Sequence, residues 1–197
     1  MRFVTLATAA AAAAVLGTAP YAAGTGQLAL TSARVSIEGT SNIHGYTASS
    51  TAIRIAAVDV DAEAEGDVLG RALEPNGVRA FEVVIPTASL TSPKDGIDKN
   101  MHKALKAAEH PEIRFRLRAL DAAAGTAVGQ LTIAGVEKDV TLNVQVKRQV
   151  AALAVTGTTS LLMTDYGITP PKAMLGMLKT NPKVTITFEL MLGPSLT

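Results

Sequence analysis

Cysteine and tryptophan are absent from this 197-residue chain, and aromatic residues make up only 4% of it. Without cysteine there are no disulfides, no thiolate nucleophile and no cysteine-ligated zinc or iron–sulfur centre. Charge is scarce as well. Charged residues are 18% of the chain, and 18 basic side chains face 17 acidic ones. A nucleic-acid partner is therefore not expected, because such a protein needs a basic surface to release counterions. Histidine occurs three times, at His44, His102 and His110, with no His-x-x-x-His or His-Glu-x-x-His spacing, so no metal site is expected. Gly-x-Ser-x-Gly, Gly-x-Gly-x-x-Gly and Walker sequences are missing too, and neither a cofactor nor an enzymatic activity is expected. A Ser–His–acid triad drawn from distant positions is the catalytic arrangement that stays open. Asp165-Tyr166, read as a possible acid pair, is better taken as a structural corner, since neighbours on a strand point to opposite faces.

The first 23 residues read as an address. Met1-Arg2 precedes an apolar run from Phe3 to Gly17, which includes consecutive alanines from Ala9 to Ala14, and small residues follow. These are the parts of a secretory signal peptide. The competing reading is a membrane anchor, but the run falls short of the roughly 20 apolar residues that span a bilayer. Ala22 and Ala23 both suit the cleavage site. Cleavage there removes Arg2, the one charged residue of the leader, and leaves a single domain over 24–197 with balanced charge. A cysteine-free exported chain of this kind is expected in a bacterial periplasm.

Beyond Gly24 the hydrophobic pattern has a period of two. It predicts half-buried antiparallel strands at 34–38, 79–85, 112–118, 140–146 and 184–192. Further strands are predicted at 51–60, 128–134 and 152–164. Within 51–60 the apolar phase shifts from Ile53 and Ile55 to Val58 and Val60, the mark of a bulge. Between Lys94 and Ala108 the spacing of Ile97, Met101, Leu105 and Ala108 predicts a helix, capped by Ser92 or Asp95 and followed by Pro111. Between Pro171 and Lys179 a Met- and Leu-rich stretch predicts a short helical segment placed as a lid. About eight strands with one apolar face need closure or a second sheet. The chain is thus all-β, either an eight-stranded antiparallel barrel or a filled sandwich.

Four stretches, in order, resemble the YceI-like family of exported bacterial lipid-binding proteins. They are Val35 to Tyr46, Met101 to Leu117, Gly129 to Leu142, and Met163 to Ile168 with Pro170, Pro171 and Gly176. Tyr46 departs from the tryptophan expected in that branch, which keeps a ring but changes its polar handle. The resemblance implies an extended antiparallel barrel with a lipocalin-like tunnel, which the pattern above makes eight-stranded with one helix and a short helical lid. Its tunnel would hold a long-chain isoprenoid or acyl lipid.

Strand parity places Phe81, Val83, Phe115, Leu117, Leu142, Val144, Ile186 and Phe188 on inward faces, where such a ligand would lie. Met174 and Met177 are candidate gate residues, with core packing as the competing role. Arg114, Arg116 and Arg118, with Lys94, Lys99, Lys103 and Lys106, are read as solvated or as attracted to an anionic membrane surface. A homodimer through an uncovered strand edge stays open. The expected function is a periplasmic carrier of a long-chain lipid. The alternatives are a filled barrel that binds a protein partner and, last, a hydrolase of small apolar esters.

Overall fold

The computed structural model describes residues 27–93, 96–173 and 177–195. The segment expected to be a signal peptide, Lys94, Asp95 and the gate candidate Met174 lie outside the described residues. The sheet follows one path of nine strands, each antiparallel to its neighbour, in the order β2-β1-β10-β8-β7-β6-β5-β4-β3. In chain order these are β1 (Leu28–Ser41), β2 (Gly45–Ser50), β3 (Arg54–Val60), β4 (Val78–Pro86), β5 (Glu112–Asp121), β6 (Thr126–Ile133), β7 (Val136–Arg148), β8 (Leu153–Leu162) and β10 (Leu178–Pro194). A two-residue strand, β9 (Lys172–Ala173), pairs with the start of β10.

The expected strands are present, but among the described residues the expected eight become ten. β2 escapes the period-two pattern because Gly45-Tyr46-Thr47-Ala48-Ser49-Ser50 buries only small residues, Ala48 at 1% exposure and Ser50 at 4%. The stretch from Pro171 to Lys179 is not helical at its described ends. Ala173 pairs with Leu178 and Lys172 with Lys179, as in a hairpin.

Bulges tune which side chains face inward. In β3 the register slips between Ile55 and Ala57 and again between Asp59 and Val60, at the phase shift seen in the sequence. A slip between Leu30 and Ser32 lets Leu28 and Val35, an odd number of positions apart, face the same interior. Another between Leu117 and Ala119 does the same for Leu117 and Leu120.

The sheet curls into a barrel whose two end strands, β2 and β3, share no backbone ladder among the described residues. Side chains close the seam instead. Leu28 and Leu30 of β1 join Val58 and Val60 of β3 in one cluster with Val68, Leu69 and Ala72. Val68 and Leu69 belong to α1 (Val68–Arg71), a single turn started by Asp67, whose carboxylate accepts the Gly70 N–H at 2.8 Å. The outer edge of β2 is covered where Ser49 and Thr91 exchange backbone hydrogen bonds of 2.8 and 3.0 Å, which blunts an edge open to stray pairing.

The predicted helix is α2 (Ile97–Ala104), shorter than the stripe suggested. Gly96 opens it with φ of 85°, and Lys106, with φ of 52°, ends the helical path before Pro111.

On the outer face of β4 and β5 the arginine stripe is engaged in ion pairs. Glu82, only 9% exposed, accepts from Arg114 at 2.9 Å and from Arg116 at 3.1 Å. Arg118 pairs with Asp139 at 3.2 Å, and Glu112 ties Arg114 to Arg54. Burial by itself would raise the Glu82 carboxyl, but the hydrogen bonds and charges of the two arginines outweigh it and hold the group below its ordinary value. A carboxylate depressed in the folded state adds stability that is complete above its unfolded value and is lost as pH falls through the folded one. Acidification below the ordinary 4.5 should therefore lower the urea midpoint. Glu82→Gln should cost about 1–3 kcal/mol at neutral pH and flatten that acid limb. Parallel pH series of urea melts would check both, and an unchanged limb would remove Glu82 as its cause.

Candidate functional site: an apolar cavity along the barrel

The inward faces of the strands enclose a cavity of about 550 Å³, within the usual range for small-molecule sites. The interior is therefore not filled by side chains. Its lining on β10 runs from Thr180 to Leu192. At the rise of a β-strand and the tilt of a barrel, that path covers on the order of 30 Å along the axis.

The middle of the cavity is walled by the residues that strand parity placed inward: Phe81, Val83, Phe115, Leu117, Leu142, Val144, Ile186 and Phe188. They sit on adjacent strands in matched register, for example Val83 opposite Phe115 and Val144 opposite Gly157, which in turn faces Phe188. Two glycines keep this stretch open. A β-carbon on Gly157 would lie 2.3 Å from the Phe188 ring, and one on Gly129 would lie 2.7 Å from the Phe115 ring. Both rings therefore lie back against the sheet rather than standing across the bore.

The two ends differ. One is closed by apolar packing, with Leu28, Ala72, Val78, Leu153 and Leu192 lining it and α1 packed behind them. The other carries most of the polar lining: Ser41, His44, Tyr46, Asn100 and Thr180. Helix α2 crosses this end with Ile97, Met101 and Ala104 turned to the cavity. The Tyr46 ring lies over Gly39, where a β-carbon would come within 2.2 Å of it. Its hydroxyl is buried with no hydrogen-bond partner, and burial pushes its ionisation above the usual range.

The remaining candidates are spread out. Met177 is 71% exposed and does not line the cavity, so among the described residues it stands on the rim rather than in the bore. The histidines are dispersed: His44 lines the open end, the His102 ring bonds the Leu90 carbonyl at 2.8 Å, and the His110 ring lies against Gly135. Tyr166 packs in the core at 3% exposure, with its ionisation pushed up to about 12 by burial and then by the Asp165 charge. Asp165 itself is exposed.

The sequence pattern of the YceI-like domain matches residues 28–192. The chain belongs to the YceI-like family. No curated protein matches it, but solved structures do. Similar solved structures include BcnA of Burkholderia cenocepacia, at 18% identity, TM-score 0.65, covering 81% of this chain and 95% of the other. A polyisoprenoid binding domain from Saccharophagus degradans aligns at 15% identity and TM-score 0.61, covering 85% of this chain and 98% of that one. The YCEI protein of Campylobacter jejuni aligns at 16% identity and TM-score 0.55, with coverages of 74% and 82%. At these identities the likeness is one of fold.

Within this YceI-like chain, the closed end and the Tyr46 hydroxyl were not legible as site features. Asp67 before Val68-Leu69 is the signal that could have revealed α1, since an N-cap residue precedes two apolar ones. In the sequence Tyr46 stands out only as a departure from the family pattern.

Proposed function

We propose that this YceI-like protein is exported to the periplasm and there binds and carries a long-chain isoprenoid or related lipid, tail inward. The observation that carries the reading is the apolar cavity, closed at α1 and polar at the opposite end. An unfilled bore leaves its lining atoms short of contacts. A hydrocarbon tail supplies them and gains about 0.8 kcal/mol for each methylene withdrawn from water. The Tyr46 hydroxyl, buried without a partner, would donate to an oxygen of the headgroup as the tail runs toward α1. A similar fold in a polyisoprenoid binding domain supports the class of cargo. The leader-like first 23 residues support export.

Native mass spectrometry of the protein purified from the periplasmic fraction tests both parts. The expected result is a chain beginning after Ala22 or Ala23 with a discrete adduct that extracts as a prenyl or acyl lipid. A bare chain that also refuses added quinones and fatty acids would sink the carrier reading.

A further inference from the structure

Among the described residues, large hydrophobic side chains are exposed at Ile43, Val128, Val150, Leu162 and Met177. Three of these five belong to the open end of the barrel: Ile43 next to His44, Leu162 at the end of β8 opposite Lys183, and Met177 hydrogen-bonded to Asn42. Leu162 is part of the cavity lining and pairs with Lys183. Ile43 and Met177 are held together by their neighbours. The Asn42 side-chain amide donates to the Met177 carbonyl at 2.9 Å and accepts from the Lys179 N–H at 2.8 Å, while the Asn42 N–H donates to the Lys179 carbonyl at 3.1 Å. The apolar tips thus stand on a braced rim rather than on loose loops.

Charge is arranged along the same axis. Lys99, Lys103 and Lys106 on and just after α2, with Lys179 and Lys183 on β10, are exposed around the open end. Every ion pair among the described residues is made by an arginine, so these lysines are not neutralised by one. The acids toward that end are Asp98, which accepts the Ser92 N–H, Glu38, which lines one groove with Lys183, Glu112, which is paired with Arg54 and Arg114, and the exposed Glu109, Glu137 and Asp165. The closed end has the opposite sign. Between positions 59 and 74 stand Asp59, Asp61, Glu63, Glu65, Asp67 and Glu74, against Arg71 within the segment; Arg79 and Arg148 pair with Asp61 and Asp67, which leaves Asp59, Glu63, Glu65 and Glu74 without an ion pair among the described residues. A chain with almost no net charge therefore carries a dipole that turns its open end toward anions.

We propose that the open rim docks on an anionic lipid surface, with Ile43, Leu162 and Met177 entering the headgroup–acyl boundary and the five lysines facing the phosphates. The cavity then opens onto the acyl layer, so a tail passes between bilayer and bore without crossing water; this step rests on the carrier reading. Two-signal anchoring of this type, modest apolar insertion plus basic residues, gives reversible attachment.

Flotation of the purified chain with phosphatidylcholine vesicles, with and without phosphatidylglycerol, tests it. Binding is expected only with phosphatidylglycerol and should weaken with salt. Lys99→Gln with Lys179→Gln should lower the partition about thirtyfold, and Ile43→Ser with Met177→Ser at least tenfold. Glu63→Gln with Glu65→Gln at the closed end should not reduce it. Native mass spectrometry of the same preparations reads cargo separately. No vesicle binding with cargo retained overturns the docking and leaves the carrier. Equal binding to both vesicle types, or binding indifferent to both rim pairs, also overturns it. Vesicle binding by a chain that never takes cargo overturns the carrier instead.

Discussion

Phe115→Asp is expected to abolish lipid uptake and to cost several kcal/mol of stability. Phe115 lies at the middle of the cavity wall, on β5 between Val83 of β4 and Leu131 of β6. It also packs against both the Val35–Tyr166 cluster and the Ala127–Leu142–Val144 cluster. Removing a ring from such a place costs about 3–5 kcal/mol before any charge is considered. The carboxylate then has no cation nearby, since the lining described around it is apolar, and its desolvation adds to the loss. A hydrocarbon tail threaded past it would meet either a charge or the water that the charge retains. Thr141→Asp is the control one phase away: Thr141 is exposed on β7, and a surface change there should stay within about 0.5 kcal/mol. Thermal melts and a fluorescent fatty-acid binding titration on the two variants decide the point. If Phe115→Asp melted and bound like the parent protein, its ring would not be part of the wall.

The contrast between those two substitutions depends on strand parity, which is the feature the amino-acid order carries most strongly. Val140, Leu142, Val144 and Val146 alternate with Thr141, Asn143 and Gln145 because one face of β7 meets the cavity and the other meets water. The same holds for Val184 to Leu192 of β10. Segments without that contrast do not show in the pattern. β2 buries Ala48 and Ser50, too small to register as an apolar face. α1 is one turn long, below the length at which a helical stripe can be seen. The 171–179 stretch is rich in Leu and Met, residues that suit helices, yet its described ends pair across Ala173 and Leu178. Partner strands, not local preference, decide such a case. Long-range contacts also set the parts of the candidate site that composition hides. That Asn42 would brace Met177, or that Glu82 would gather Arg114 and Arg116, depends on strands far apart in the chain.

The bore is set by what glycine leaves out, and this makes Gly157→Ala the second large effect. A β-carbon there would meet the Phe188 ring at 2.3 Å and the Asn143 carbonyl oxygen at 2.7 Å. The ring can turn away, whereas relief of the Asn143 oxygen contact needs a small shift of β8 against β7 as well. Phe188 faces the cavity with Ile186 and Leu190, and the direction left to its ring is toward the axis. Overpacking of this kind costs about 1–3 kcal/mol. The functional consequence is sharper than the loss of stability, because a ring across the bore excludes the part of a tail that would lie beyond it, toward Leu153 and Leu192. Expelling even two methylenes weakens binding about fifteenfold, at about 0.8 kcal/mol each. Chain-length series of fatty acids or prenyl alcohols should show affinity rising with length in the parent protein and reaching an early plateau in Gly157→Ala. Phe188→Leu placed in the same chain should restore the rise, since a leucine side chain clears the added β-carbon without reaching across the bore. Restoration by that second change ties the effect to the ring. An unchanged length profile in Gly157→Ala would mean that the tail does not pass Phe188 and that the cargo occupies only the open half of the barrel.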